Sequence, residues 1–397
     1  MTEKPLFVMV LTQRYTKSCC TMRLFLKNLG TFIYVNGDLR MKKSLIALAA
    51  LATVATAAQA QSSVTVYGII DAGVSTVSNV KIGTTTTSGT VTGLSNGGLS
   101  TPRIGFRGVE DLGNGLKASF NLESEFLADN GSQASNDNIL FGRAAWVGLS
   151  GNFGDVKLGR QNTLLYATGV AFDPLGGNNL GGFIAAGNYG TVRAQNAVTY
   201  TTPTVAGLTL AAQTGTTTAA NGTADNEVAG NFTANRITSV QLSYAQAAFA
   251  ASAILAKTNN SSGTTATDYS GIYASYDFGI AKALAGTVQT SPVTVTATSK
   301  IRHSFVGVQA PVAANTKVNL IAQQVKNQAS GTTPKVYATT VVYSLSKRTD
   351  LYGVAAKSQQ DGNSTQTLVN SGKFDGFSGT VAGQNQTGLS VGIRHSF

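Results

Sequence analysis

The chain has 397 residues, 12% of them charged and 42% hydrophobic, with 44 Gly, 7 Pro and 2 Cys. Its formal charge is +11, but residues 1–60 hold eight of the 29 Lys and Arg and two of the 18 Asp and Glu, so the remainder carries 21 against 16, a net +5. That balance argues against the clustered basic face of a nucleic-acid binder. Both cysteines, Cys19 and Cys20, lie in the first forty residues, which leaves no disulfide frame downstream.

Residues 41–60 read MKKSLIALAALATVATAAQA. Lys42 and Lys43 give a basic start, Leu45 to Val54 a short apolar run, and Ala58-Gln59-Ala60 a small-residue cleavage signal. This is the pattern of a secretory signal peptide cut between Ala60 and Gln61. The apolar run is too short for the roughly 20 residues of a spanning helix. Residues 1–40 share none of the later patterning, so Met41 is read as the true start and 1–40 as an extension upstream of it. Residues 61–397 are read as one domain. They contain no apolar run of 18 residues, so any membrane crossing must use strands.

The opening segment, Val64 to Val74, alternates, and the clearest patterning follows it in RIGFRGVEDLGNGLKASFNLESEF, residues 103–126. In its second arm Leu116, Ala118, Phe120, Leu122 and Phe126 share one parity, with Ser124 its only polar member, while Lys117, Ser119, Asn121, Glu123 and Glu125 share the other. Successive strand side chains point to opposite faces, so one face is apolar and the other polar and charged. A soluble sheet can read this way with its apolar face on a core. A membrane barrel turns the apolar face to lipid and the polar face to a wet lumen.

Along the rest of the chain, strand-like pairs flank short turns near 110–115, 150–154, 202–207, 245–248, 277–281, 310–316 and 345–350, and Leu389 to Phe397 closes the sequence. Seven hairpins with a first and a last strand make sixteen. The intervening connections, 79–101, 127–139, 161–191, 214–235 and 357–388, are long and rich in Gly, Thr, Ser and Asn. Short turns at one end and long loops at the other fit an antiparallel transmembrane barrel with periplasmic turns and extracellular loops. Aromatics near the turns, among them Phe153, Tyr200, Tyr244, Tyr276, Phe278 and Tyr343, suggest an interfacial girdle. A sixteen-stranded sandwich would be unusually large.

The segments SSVTVYGIIDAGVS, RIGFRGVEDLGNGLKASFNLESEF, LFGRAAWVGLSGNFGDVKLGRQ, YSLSKRTDLYG and the terminal VGIRHSF resemble the Gram-negative trimeric general porins, in particular those of β-proteobacteria. The resemblance spans essentially all of residues 61–397. It implies an all-β, sixteen-stranded barrel in the cell outer membrane, usually a homotrimer, set among outer-membrane lipids. It also implies a third loop folded into the lumen and passage of ions and small hydrophilic solutes. Phe397 resembles the terminal aromatic read by the barrel assembly machinery. No cofactor is implied.

Alternation puts Arg103, Arg107, Arg143, Lys157 and Arg193 on the lumen parity, with Glu123 and Glu125 nearby. Arg160 has lipid parity by strict alternation, and is expected to turn inward where its strand ends. By resemblance, Arg103 and Arg143 match pore-wall arginines and Asp173 lies in the constriction loop, where it is the one acid between Gln161 and Thr191. Because charged rings tune channel selectivity, this balance predicts a modest anion preference. Two other readings stay open: a substrate-selective channel with a site on its loops, and a plugged barrel serving as surface anchor, adhesin or enzyme.

Several motif matches lack their context. Gly93-Leu94-Ser95-Asn96-Gly97 fits a nucleophile elbow but sits in a polar loop, and Gly113-Asn114-Gly115 leads into a strand rather than a helix. His303 and His395 have no neighbouring ligand motif, so no metal site or catalytic constellation is expected.

Overall fold

The computed structural model describes residues 63–83, 86–134, 139–177, 180–186, 190–217, 227–293, 300–369 and 379–397. The readings for residues 1–60, and the cleavage position between Ala60 and Gln61, lie outside the described residues.

Seventeen strand segments are present among them: β1 (Ser63–Lys81), β2 (Ser88–Asn96), β3 (Arg103–Gly113), β4 (Leu116–Glu125), β5 (Ala144–Gly151), β6 (Gly154–Asn162), β7 (Arg193–Thr201), β8 (Leu208–Thr216), β9 (Arg236–Gln246), β10 (Phe249–Asn259), β11 (Ala266–Asp277), β12 (Lys282–Val293), β13 (Ile301–Ala313), β14 (Thr316–Asn327), β15 (Lys335–Ser344), β16 (Thr349–Gln359) and β17 (Thr387–Ser396). Each pairs antiparallel with its neighbours, and β1 pairs with β17 from Ile69↔Ser396 to Val77↔Gly388, which closes the sheet. The first half of β1 pairs with β3 and its second half with β2, so β2 and β3 are one wall strand interrupted at residues 97–102. The barrel therefore has sixteen strands. Closure leaves no edge, so the strand backbone is satisfied without water, as a lipid environment requires. No described helix is long and apolar enough to cross a membrane.

All seven predicted short turns are present. At the first, Asn114 (φ 52°) and Gly115 (φ 78°) both adopt the left-handed conformation, the two-residue turn whose twist matches a hairpin and for which Asn-Gly is best suited. The stretch 79–101, read as a loop, is instead mostly strand: β1 runs on to Lys81 and β2 returns against it. Its Thr, Ser and Gly composition hides a hairpin whose few apolar residues, Val77, Val80 and Val91, pack into the hydrophobic cluster inside the barrel.

The break at 97–102 has a specific cause. Asp71 on β1 is fully buried, and its carboxylate accepts the backbone N–H groups of Gly98, Leu99 and Ser100 and the Tyr352 hydroxyl at 2.8 Å. A buried carboxylate is tolerated only when so paired, and here the backbone leaves the sheet to pair it.

A second departure concerns the inner face. On β4 it is polar as read, but on β11 to β16 it carries Tyr273, Leu284, Val288, Phe305, Ile321, Val336, Ala338, Val354 and Ala356, all buried. These strands carry large apolar residues on both faces, with polar ones such as His303 and Gln323 between them, because the inner wall there is covered by chain rather than by water.

The candidate pore constriction

The covering chain is the long connection between β6 and β7. Thr163 caps α1 (Leu164–Phe172), its hydroxyl accepting the Tyr166 N–H at 3.3 Å. The turn of Pro174 to Gly177 follows, and α2 (Phe183–Ala186) lies further on. The helix α1 lacks charges entirely and contacts β9 to β12. Hydrogen bonds fix its height: the Leu164 N–H donates to Gln213 Oε1 of β8, and Gln241 Nε2 of β9 donates to the Thr168 hydroxyl at 2.9 Å.

Further along, the loop crosses the inner wall by pairing its carbonyls with glutamines. Gln309 Nε2 donates to the Pro174 carbonyl at 2.8 Å, and Gln323 Nε2 to that of Gly181 at 2.7 Å. Phe183 is fully buried, its ring 4.3 Å from Phe305 and 4.2 Å from the His303 imidazole. His303 in turn bonds Gln323 Oε1 through Nε2 at 2.8 Å. Fully burying Phe183 and Leu180 contributes about 1.5–3 kcal/mol each. Glycines admit the close approach: a Cβ on Gly307 would lie 2.3 Å from the Pro174 ring, and one on Gly181 2.7 Å from the Cβ atoms of Ala338 and Ala356.

Asp173 takes no part in the pore surface. It is 2% exposed, and its carboxylate accepts the N–H groups of Leu175 at 2.9 Å and Ile184 at 3.4 Å. Burial pushes this carboxyl up to about 6, against the pull of the backbone N–H groups around it. Its expected role as a pore acid is corrected: it ties the loop to itself. The loop between α1 and β7 thus presents no outward carboxylate among the described residues.

The arginines gather on the opposite arc of the barrel, β3 to β7. Arg103 donates Nε–H to the Thr101 carbonyl at 3.0 Å, Arg160 to that of Gly142 at 2.7 Å, and Arg193 to that of Arg143 at 3.0 Å. Arg103 and Arg193 both feel the like charge of Arg143, and Arg193 that of Arg160 as well. A bulge between Gly159 and Gln161, with Gly159 at φ 123°, breaks the alternation on β6 and lets Arg160 join the group despite its lipid parity. Arg193 lies over the Tyr166 ring, 5.2 Å from its centroid, so the cluster abuts α1.

Arg143 is paired with two carboxylates at once. It bridges Glu123 at 2.5 Å and Glu125 at 2.6 Å, and Glu123 also accepts the Tyr67 hydroxyl at 2.8 Å. Lower on the same arc Arg107 lies over Tyr67 at 5.0 Å, and Lys157 lies over Trp146 at 5.0 Å while pairing with Asp155 at 3.2 Å. Tyr67, Trp146 and Tyr166 were absent from the sequence reading. The first two share lumen parity with the charges, so alternation alone could have found them; Tyr166 depends on the path of the loop. No cluster of metal-binding side chains occurs among the described residues.

A barrel narrowed from within by one apolar loop against an arginine-rich wall has counterparts of known type. The family model for Gram-negative porins matches residues 47–363. The chain belongs to the Gram-negative porin family. Outer membrane porin protein 32 of Delftia acidovorans is 36% identical over 369 residues, covering 90% of this chain and all of that one. An outer membrane porin of Bordetella pertussis is 33% identical over 409 residues, with 90% and 100% covered. The solved anion-selective porin from Comamonas acidovorans superposes with a TM-score of 0.73 at 33% identity, covering 85% of this chain and 100% of that one. This porin is accordingly an outer-membrane β-barrel channel, a role its closed strand wall and lumen-facing charges fit.

Proposed function

We propose that this porin is a water-filled diffusion channel for ions and small hydrophilic solutes with a modest preference for anions, working as a homotrimer. The observation that carries the preference is the charge census of the β3–β7 arc, from the constriction downward. Arg103, Arg107, Arg143, Arg160, Arg193 and Lys157 stand against Glu123, Glu125 and Asp155, while Asp173 is withdrawn into the loop. At physiological salt the Debye length is about 8 Å, so charges lining a narrow passage are incompletely screened. The guanidinium planes also offer fixed donors to a passing anion. Fixed charge at the narrowest point governs selectivity more than charge in the vestibules. The printed description of the Comamonas porin as anion-selective supports the same sign.

The trimer is inferred from the family resemblance, and one neighbouring barrel, described as the trimer form of OmpT from Vibrio cholerae, shares the fold at a TM-score of 0.60. The decisive measurement is the zero-current potential of the reconstituted channel under a salt gradient. A potential of anionic sign, shrinking as salt rises, is expected; a cationic sign overturns the reading. Ohmic steps without solute block at low concentration distinguish passive diffusion from a substrate-selective channel.

A further inference from the structure

Asp71 does more than interrupt the wall. Ala72 of β1 pairs with Asn96 and Ile69 with Arg103, so six residues, 97–102, span the width of two, Ile70 and Asp71. The surplus chain goes inward, because Asp71 lies on the inner face of β1 with Ser75 and Val77. Its carboxylate holds the Gly98, Leu99 and Ser100 N–H groups at 3.1, 3.0 and 2.7 Å, and its carbonyl accepts the Gly97 N–H at 2.9 Å. Leu99 is buried in the same apolar cluster as Leu175 of the constriction loop, and the two line one cavity of about 430 Å³.

The holder is built across the seam of the barrel. Tyr352 on β16 reaches over β17 to donate its hydroxyl to Asp71. Glycines on three elements clear its path: a Cβ would lie 2.3 Å from that hydroxyl on Gly392 of β17, 2.4 Å on Gly98 and 2.8 Å on Gly73 of β1. Arg394 of β17 donates Nη1–H to the Ser100 hydroxyl at 3.3 Å while it bridges Asp350 of β16 at 2.7 Å. Replacing a buried ionic group by a packed apolar one is often neutral or stabilising, so stability alone does not require Asp71.

What the held segment carries is Arg103. The carbonyl of Thr101, next to Ser100, accepts the Arg103 Nε–H at 3.0 Å. Pro102 lies between, its ring fixing φ and its carbonyl taken by the Phe126 N–H at 3.3 Å, so little slack remains. Register sets Arg103 directly opposite Glu125, a spacing at which cross-strand side chains touch. Freed from Thr101, the guanidinium would fold onto that carboxylate and its charge would leave the pore.

We infer that Asp71 is a positioning residue for ion selectivity: with Tyr352 it holds residues 97–102 inside the barrel and so keeps the Arg103 guanidinium presented to the lumen. Fully buried, Asp71 meets no permeating ion and acts only through Arg103. The role rests on the anion preference proposed above, in which Arg103 is a pore charge.

Zero-current potentials of reconstituted channels under a salt gradient test this with Asp71→Asn, Tyr352→Phe, Arg103→Ala and the two double variants that combine Arg103→Ala with either of the others. The sign discriminates. By charge alone, Asp71→Asn removes an acid and moves the potential only toward anions. Through the pose of Arg103 it moves the potential toward cations, which is the expected result. Tyr352→Phe alters no charge and should shift the same way by less, since the three backbone donors to Asp71 remain. In the Arg103→Ala background both shifts should vanish, whereas a general defect in the pore would persist there. Heat-modifiable migration reports folding, and Tyr352→Phe carries the test if Asp71→Asn does not assemble. A shift of Asp71→Asn toward anions, unchanged potentials in the folded variants, or shifts that survive in the Arg103→Ala background would overturn the proposal. These are differences between variants, readable whichever sign the wild type shows, so a cation-selective wild type would count against the anion preference alone.

Discussion

The guanidinium of Arg193 on β7 lies over the ring of Tyr166 on α1, 5.2 Å from its centroid, and this contact joins the arginine wall to the loop that narrows the pore. Arg193 is 8% exposed and also donates to the Arg143 and Val192 carbonyls, so it acts as a bracket as much as a pore charge. A cation over an aromatic face contributes about 0.5–2 kcal/mol. Tyr166→Ala should free the guanidinium toward the lumen and remove bulk from the passage. Single-channel conductance should rise by tens of percent with anion preference kept or increased. Unchanged conductance would show that the ring stands clear of the narrowest point.

The ion pairs of Arg143 make its removal different from that of Arg103. Arg103→Ala deletes one positive charge, whereas Arg143→Ala also uncovers Glu123 and Glu125 on the lumen wall. The zero-current potential should therefore shift toward cations in both variants, and further in Arg143→Ala. Glu123→Gln/Glu125→Gln should shift it toward anions. Breaking an ion pair that is 11–14% exposed also costs stability, so Arg143→Ala should show a lower temperature of heat modification than Arg103→Ala.

The loop's inner docking is apolar, and its loss should be visible in noise. Phe183→Ala leaves a void against Tyr273, Phe305 and His303, at a cost of about 3–5 kcal/mol for a buried aromatic. The barrel wall closes without this contact, so assembly should persist while the loop wanders. Expected are larger mean conductance and frequent sub-states in planar bilayers. A quiet channel of wild-type conductance would mean that the glutamine clamps at Gln309 and Gln323 suffice alone.

Asp173 adds a pH dependence to that docking. Its carboxyl is raised by burial to about 6, so the docked loop binds this proton more tightly than the undocked one. Docking is accordingly strongest below the ordinary carboxylate range and weakens as pH rises through about 6. Loop-derived current noise should be lower at pH 5 than at pH 8, and Asp173→Asn should flatten the difference. Noise that instead grows on acidification would mean that the backbone N–H groups hold the ionised form.

The outer wall and the turns were legible because lipid imposes alternation and tight hairpins impose Asn-Gly chemistry. Leu116 to Phe126 alternates with Ser124 as its one polar departure, the Asn114-Gly115 turn follows the hairpin rule, and all seven turns fall between the strands where they were expected. The inner wall of β11 to β16 was not legible, since Leu284, Phe305 and Ile321 point inward only because a loop more than ninety residues away in sequence covers them. Arg160 needed a bulge, and Asp173 needed the fold of its own loop, which no period encodes. The pairing of Arg143 with two acids was within reach, as Glu123 and Glu125 share its face. Its consequence, one cation spent on the wall itself, emerges only from the distances.

The last residue closes the ring. Phe397 N–H donates to the Gly68 carbonyl at 3.0 Å, and the Gly68 N–H donates back to the Phe397 carbonyl at 3.1 Å. The Phe397 ring folds over Gly68, where a Cβ would lie 2.2 Å from its Cζ. The terminal aromatic therefore both ends β17 on its outward side and locks the β1–β17 seam. Deleting Phe397 removes two seam hydrogen bonds and the cover over Gly68, and we propose that it also removes a terminal signal for the assembly machinery. Export to the periplasm should be intact while heat-modifiable protein in the outer membrane falls severalfold. Gly68→Val separates the two roles, because it disturbs the seam, where a Cβ would meet both the ring and the Arg103 carbonyl at 2.7 Å, without removing the terminal aromatic. If Gly68→Val assembles normally while the deletion fails, recognition of the end dominates; if both fail alike, closure of the seam does. Normal assembly of the truncation would discard both roles.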